Sequence, residues 1–335
     1  MHFLKKRYLM ARYKFRALRS WVERTRLRMM NPLNREQAEV EPLWTIFPIY
    51  NCTATCSYCI QNFSFVNGRM DSPLRRTLPP EIWLKLNAIK DKPESLVISG
   101  GEPMLYKGLA DIIEGLDTFK KITVVSNLTL DVTELVERLR SIKSHKVLFE
   151  CTYHDEAISF ETFVSRALIL QEAGLLGSVR MVDVNSEKTL EHIGRFADYG
   201  LKLAALYEIG YKDGKALVYE NEEASNLIRK PPVLCETSCT AFGPTGDVYN
   251  CHTKLYWDDK QSSFGNIVSG FEIPDGYYVC HDFGFCNPCQ IGYMDVRSVN
   301  ETAGIKINEK VLLSNPPKHV RPSLTSIPIV PIKGL

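Results

Sequence analysis

No apolar run in the sequence approaches the length a membrane-spanning helix needs, about 18 to 20 residues. The chain also lacks a phosphate-binding P-loop, a dinucleotide-binding glycine fingerprint and a metalloprotease HExxH, which removes the most readable signatures of nucleotide and zinc-protease chemistry. Low-complexity, glycine-periodic and strongly one-signed compositions are missing too, so fibrous and disordered classes are excluded. The opening MHFLKKRYLMARYKFR is too charged for the apolar core of a secretory signal, and Ser20 is the only serine in residues 1–30, which argues against a transit peptide. The expected location is the cytoplasm. What remains is 335 residues, 44% hydrophobic, with 41 Lys plus Arg against 39 Asp plus Glu. Those proportions describe one large or two ordinary globular domains.

Charge is unevenly placed. Residues 1–30 hold ten Lys or Arg and one acid, Glu23, whereas residues 31–335 hold thirty-one basic and thirty-eight acidic residues. Leu4, Tyr8, Phe15, Leu18 and Val22 recur at three, four and seven residue spacings before Asn31-Pro32 disfavours further helix. Residues 1–40 therefore read as a basic amphipathic helix and linker. Two roles stand side by side. One is attachment to an anionic surface: a membrane leaflet, which would make the protein peripheral, an RNA backbone or an acidic partner protein. The other is a solvated flank packed on the main domain.

From about 43 to 210, short β-branched runs alternate with helix-period segments, the pattern of an α/β fold around a parallel sheet. The spacing predicts strands at 45–50, 95–99, 121–126, 146–151, 178–184 and 202–209, and helices at 80–91, 107–118, 131–142, 159–173 and 187–199. Asp131 with Glu134 makes a capping-box-like start, and Gly174 stands where a helix would stop. Ligands of such folds bind beyond the carboxyl ends of the strands. Past residue 211 the chain turns rich in Gly, Pro, Tyr and Cys and carries six of its ten cysteines. A small metal-organised domain is expected there, because ligand bonds replace part of the missing apolar burial. Residues 314–335 hold five prolines and read as an extended tail.

After the first strand comes NCTATCSYC, placing Cys52, Cys56 and Cys59 on one tight loop. In a reducing compartment clustered thiols read first as metal ligands. Three thiolates can hold three irons of a [4Fe-4S] cube and leave the fourth without a protein ligand. A structural zinc site would ordinarily take four protein ligands, and here the fourth would have to come from a distance.

These residues resemble the radical SAM superfamily. The three-cysteine spacing with Tyr58 before the last Cys matches the family signature, the strand at 95–99 runs into Gly100-Gly101-Glu102-Pro103 like the family's GGEP, and VVSNL (Val124 to Leu128) follows the third strand. The resemblance covers about residues 43–210. It implies a partial (β/α)6 TIM-like barrel, with a radical SAM core over 41–212. It also implies S-adenosylmethionine on the open iron, cleaved reductively to methionine and a 5′-deoxyadenosyl radical that abstracts hydrogen from a substrate. In that reading Gly100 and Gly101 present carbonyls to the methionine ammonium, Glu102 accepts from it and Pro103 completes the motif. Tyr58 lies against the adenine, and Ser126, Asn127, Glu150 and Arg180 are candidates for ribose or carboxylate contacts, each matched by a plain reading as a polar residue serving its own turn or strand. His154, on the rim past the fourth strand, is a candidate substrate contact or proton donor, or an ordinary loop histidine. Cys151 reads as a buried small hydrophobe.

The segment CETSCTAFGPTGDVYNCH carries Cys235, Cys239 and Cys251, and its PTGD turn predicts a hairpin that brings Cys239 towards Cys251. Cys280, Cys286 and Cys289 follow. Together with Gly246 they resemble the auxiliary-cluster extensions called twitch and SPASM domains, here expected over 213–313. The resemblance implies a second [4Fe-4S] cube on Cys235 or Cys239, Cys251, Cys286 and Cys289. A full SPASM domain uses seven or eight cysteines and this chain has six, so one auxiliary cluster is expected, with His252 and His281 as substitute ligands if there are two. A hairpin thiolate pair with a CxxC is also how zinc ribbons are built. The implied partners are a peptide or small-molecule substrate and a reductant such as flavodoxin or ferredoxin. The competing reading is a multi-zinc binding module that uses the basic helix on nucleic acid; it leaves the GGEP without a job, and residues 31–335 are net acidic.

Overall fold

The computed structural model describes residues 42–56, 59, 77–183, 185–207, 211–212, 215–216, 230–273, 275–286, 294–300 and 306–312. The expected basic helix and linker, Tyr58, Cys289 and the proline-rich tail lie outside the described residues.

Six strands run in sequence: β1 (Leu43–Ile49), β2 (Ser95–Gly100), β3 (Lys121–Ser126), β4 (Lys146–Tyr153), β5 (Leu176–Asp183) and β6 (Leu203–Tyr207). Each pairs in parallel with the next. Between them lie α1 (Pro80–Trp83), α2 (Leu109–Gly115), α3 (Thr133–Leu139), α4 (Phe160–Glu172) and α5 (Ser186–Asp198). This is the α/β parallel sheet that the alternation implied, in the partial-barrel order that the resemblance implied. The helix expected over 80–91 departs from that pattern, because after α1 the chain tightens into a 3-10 turn over Leu84–Ala88. Asn87 there donates to the Gly115 carbonyl (2.7 Å), and Lys92 closes the end by donating to the carbonyls of Asn87 and Ile89.

Local chemistry sets the helix boundaries. Ser159 accepts from Thr162 N–H to cap α4, Asn185 accepts from Glu187 and Lys188 N–H to cap α5, and Asp131 accepts from Thr133 N–H ahead of α3. Gly174, at φ +72°, ends α4. Strand β4 alternates buried Val147, Phe149, Cys151 and Tyr153 with half-buried Leu148, Glu150 and Thr152. The buried set joins Phe160, Phe163 and Leu170 of α4 and Phe196 of α5 in the main core, and the half-buried set lines the other face of the sheet. Cys151 is buried in that core, as its strand position implied.

The cysteine-rich segment is tied into the same sheet. Strand β10 (Cys239–Phe242) pairs in parallel with β1, and β11 (Val248–Tyr249) returns antiparallel beside it, the hairpin the PTGD turn predicted, with Gly246 at φ +84°. The sheet order is β11-β10-β1-β2-β3-β4-β5-β6. A second sheet, in the order β15-β9-β14-β16, contains β9 (Val233–Thr237), β14 (Tyr277–Cys280), β15 (Met294–Ser298) and β16 (Ile307–Leu312), and the short helix α6 (His252–Tyr256) follows Cys251. Two small pairs complete the chain: β7 (Tyr211–Lys212) with β8 (Lys215–Ala216), and β12 (Gly265–Asn266) with β13 (Gly270–Phe271). Among the described residues no helix is long and apolar enough to cross a membrane.

Phe163 is fully buried, with its ring centroid 5.1 Å from that of Tyr153 and 5.7 Å from that of Phe196. Phe163→Ala is expected to lower unfolding free energy by about 3–5 kcal/mol, read by denaturant titration, because the helix-to-sheet aromatic cluster cannot close over the vacated volume.

Candidate functional site

The carboxyl ends of β1, β2 and β3 meet around one carboxylate. Pro48 has no N–H for the ladder, and the pairing of β1 with β2 shifts register between Ile46 and Ile49, so that Ile49 faces Gly100. Gly101 N–H then donates to the Ile49 carbonyl (3.1 Å) and Glu102 N–H to the Asn51 carbonyl (2.8 Å). A β-carbon on Gly101 would stand 2.1 Å from the Asn51 carbonyl oxygen, and one on Gly100, at φ +144°, 2.1 Å from that of Ile49. Both glycines are therefore demanded by the contact between two strand ends.

Glu102 is fully buried. Its Oε1 accepts from Met104 N–H (3.1 Å) and Ser126 Oγ (2.9 Å), and its Oε2 accepts from Asn127 N–H (2.8 Å). Burial pushes its carboxyl above the usual range, and these three donors pull it back. Through these bonds Glu102 joins the ends of β2 and β3. Pro103 is buried and opens the 3-10 turn Pro103–Leu105. Ser126 Oγ also accepts from Leu128 N–H (3.1 Å), and Arg166 donates to the Leu128 carbonyl (2.8 Å). These bonds hold a buried leucine at φ +54°, a conformation that is strained for a residue with a β-carbon.

Asn127 reaches back to the cysteine loop. Its Nδ2 donates to Cys52 Sγ (3.6 Å) and Thr53 Oγ1 (3.1 Å), while its Oδ1 accepts from Thr129 N–H (3.0 Å) and Thr129 Oγ1 (2.7 Å). The hydroxyls of Thr53 and Thr129 touch each other. Sequence reasoning missed both threonines. The local signal for Thr129 was an Asn whose side chain can accept two residues on. In the loop itself Cys56 is buried, Cys52 and Cys59 are half-buried, Ala54 N–H donates to Cys52 Sγ (3.5 Å) and Cys59 N–H to the Cys56 carbonyl (3.2 Å).

The remaining candidates sit further along the sheet. Arg180 Nη2 pairs with Glu150 Oε1 at 2.5 Å across β4 and β5, and Arg180 Nε donates to Ser178 Oγ (2.9 Å), so these two engage each other on the half-buried face. His154 starts the turn after β4, with its carbonyl accepting from Ala157 and Ile158 N–H.

Residues 46–207 match the family model described as the radical SAM superfamily. The matched segment runs from within β1 to the end of β6. Similar solved structures include Streptococcus suis SuiB bound to S-adenosylmethionine, 14% identical over 69% of this chain and 62% of that one at a TM-score of 0.49. Others are anSMEcpe with bound AdoMet, 12% identical over 69% and 79% at 0.48, and SuiB bound to precursor peptide SuiA, 15% identical over 69% and 63% at 0.39. The chain thus spans about three fifths of the length of the S. suis protein. No curated protein matches the chain.

Beyond the matched segment the described thiols are Cys235, Cys239, Cys251, Cys280 and Cys286, all buried or half-buried. Cys235 on β9 pairs with Tyr278, and Cys280 lies two residues further along β14, so both sulfurs share one face of neighbouring strands. Cys251 precedes α6 and accepts from the N–H groups of Thr253 and Lys254. The loop to Cys286 is fastened to α6 by Thr253 Oγ1 donating to the Phe285 carbonyl (3.0 Å) and by Lys254 pairing with Asp282. Burial pushes up the thiols of Cys235, Cys251, Cys280 and Cys286, that of Cys280 to about 12, and mutual proximity adds to the rise at Cys235, Cys280 and Cys286. Thiols in that state keep their protons unless a metal replaces them. Cys239 Sγ lies 3.5 Å from His252 Nε2; burial pushes the thiol up to about 12, with Cys251 adding to the rise, and pulls the imidazole down to about 4. His281 is exposed. Among the described residues no three His, Cys, Asp or Glu side chains draw together as a single ion requires. A cube gives each thiolate its own iron and so holds its ligands wider apart.

Lys254, another residue the sequence did not flag, is 1% exposed, with its ammonium paired to Asp259 Oδ2 (3.2 Å) and to Asp282, both carboxylates being buried too. Ser262 Oγ adds a bond to Asp259 (2.8 Å).

Two stability measurements check these arrangements. Glu102→Gln must face one amide N–H₂ towards a backbone donor, and is expected to cost about 1–3 kcal/mol in denaturant titration. Lys254→Met leaves two buried carboxylates uncompensated and is expected to cost about 3–5 kcal/mol; an unchanged midpoint would remove the ion trio from the stability account.

Proposed function

We propose that the protein is a radical SAM enzyme with one [4Fe-4S] cluster on Cys52, Cys56 and Cys59 and one auxiliary cluster on Cys235, Cys251, Cys280 and Cys286. The observation that carries the reading is the meeting of a three-thiol loop with the Gly-Gly-Glu end of β2 and the Ser-Asn end of β3, inside the segment that matches the radical SAM model. When bound, the cluster and S-adenosylmethionine supply reductive cleavage to methionine and a 5′-deoxyadenosyl radical that takes a hydrogen atom from the substrate. The chain's own residues do the holding. Gly100 and Gly101 let the strand end lie against the cysteine loop, Glu102 fixes that end to β3, and Asn127 fixes β3 to Cys52. Glu150 and Arg180 offer an ion pair to polar groups of a ligand on the half-buried face of β4 and β5, and His154 stands at the rim.

The residues present fit a thiolate-held cluster, since Cys52 and Cys251 accept N–H donors. The division into a core over 41–212 and an auxiliary domain over 213–313 belongs to this proposal. So do a peptide or small-molecule substrate, a flavodoxin or ferredoxin reductant, and an anionic membrane or RNA surface as the target of residues 1–30.

Anaerobic purification and reconstitution are expected to give about eight irons per chain, held as two cubes. Dithionite with S-adenosylmethionine should then release 5′-deoxyadenosine. Cys56→Ala should abolish that release and remove one cube. Cys280→Ala should remove the other and leave uncoupled cleavage intact. A colourless protein that binds only zinc and releases no 5′-deoxyadenosine would favour the multi-zinc module instead.

A further inference from the structure

Asn127 is 5% exposed, and each end of its side chain has a fixed identity. The Thr129 N–H, 3.0 Å away, can only donate, so the atom it meets is Oδ1. The amide N–H₂ must then face the other way, towards Cys52 Sγ at 3.6 Å and Thr53 Oγ1 at 3.1 Å. The residue's own backbone N–H is held by Glu102 Oε2, so the side chain is braced from both strands. Bonds between Thr53, Thr129 and Asn127 would shape the loop without this contact to sulfur; the contact itself aims a donor at one thiol of the three-cysteine loop.

We propose that Asn127 sets the reduction potential of the cluster held by Cys52, Cys56 and Cys59, acting through the Cys52 sulfur as a positioning residue. The inference deepens the reading above and rests on it. Reduction transfers one electron from the external reductant to a cube whose thiolates already carry negative charge. A donor directed at a ligating sulfur withdraws density from it and stabilises the reduced state more than the oxidised one, which raises the potential. Burial strengthens the effect, because little water competes for the amide or screens its dipole. The residue thus makes the first cube easier to charge before cofactor cleavage.

The test is a redox titration followed by electron paramagnetic resonance on the full-length, anaerobically reconstituted protein, reading the signal that S-adenosylmethionine perturbs. Asn127→Leu removes the donor. Asn127→Asp keeps the shape and the acceptor for Thr129 but places negative charge beside the sulfur. Both variants should titrate at more negative potential than the wild type with unchanged iron content, Asn127→Asp the further of the two. Equal potentials in iron-replete variants would overturn the proposal. Loss of the cluster from both would also overturn it, by assigning Asn127 to retention of the cube. If S-adenosylmethionine perturbs no signal in the wild type, the underlying enzyme reading fails, and the proposal with it.

Discussion

A carboxylate taken out of water must be given donors or give up its charge, and Glu102 is given three. Two of those donors, Ser126 Oγ and Asn127 N–H, belong to the end of β3, and the third, Met104 N–H, belongs to the turn that follows β2. Glu102 N–H donates in turn to Asn51, one residue before Cys52. A single buried residue, through its side chain and its backbone N–H, therefore fixes three strand ends relative to one another, and the cysteine loop inherits its position from them. The glycines before it follow from the same constraint, since a β-carbon at either position would collide with the backbone that Glu102 draws close. The Gly-Gly-Glu-Pro run acts first as a joint between strands, and whatever it offers a ligand is offered from that joint.

The second cysteine set is organised on a different principle. Its strands are short and its thiols are pushed up by burial, so neutral thiols would leave the interior poorly bonded, whereas a metal would convert the same positions into strong links. Around that set the chain places one cation, Lys254, between two carboxylates. The trio joins the helix after Cys251 to the turn before Cys286, which keeps two widely separated thiols near each other.

Much of this was legible in the sequence because it is local. The six strands β1 to β6 and the long helices α4 and α5 follow from periodicity, and the stop at Gly174, the Asp131 turn ahead of α3 and the PTGD hairpin follow from turn chemistry acting within a few residues. The three-cysteine loop and the GGEP were readable as motifs. Other features depend on register and distance. Cys280 joins Cys235 because β9 and β14 pair with Tyr278 opposite Cys235, a registration no spacing reveals. Lys254 looks like any surface lysine until Asp282, twenty-eight positions on, is folded against it. Spacing does not reveal that β4 and β5 set Glu150 and Arg180 side by side. Nor does it reveal that the Asn127 amide meets a thiol seventy-five residues earlier.

Strand β1 connects the two cysteine sets. Its carboxyl end delivers the loop with Cys52, and its flank pairs with β10, whose hairpin leads to Cys251. The space between is filled by Phe47, Tyr50, Ala241, Tyr249, Leu255 and Tyr256, a closed layer drawn from β1, β10, β11 and α6. Tyr50, two residues before Cys52, and Tyr256, five after Cys251, have ring centroids 5.6 Å apart within it. Close-packed interiors transmit displacement because they have no voids to absorb it. A shift of α6 must therefore press on Tyr256, then on Tyr50, and so on the base of the first loop. The separation of the two cysteine sets is fixed by one parallel ladder and one aromatic layer.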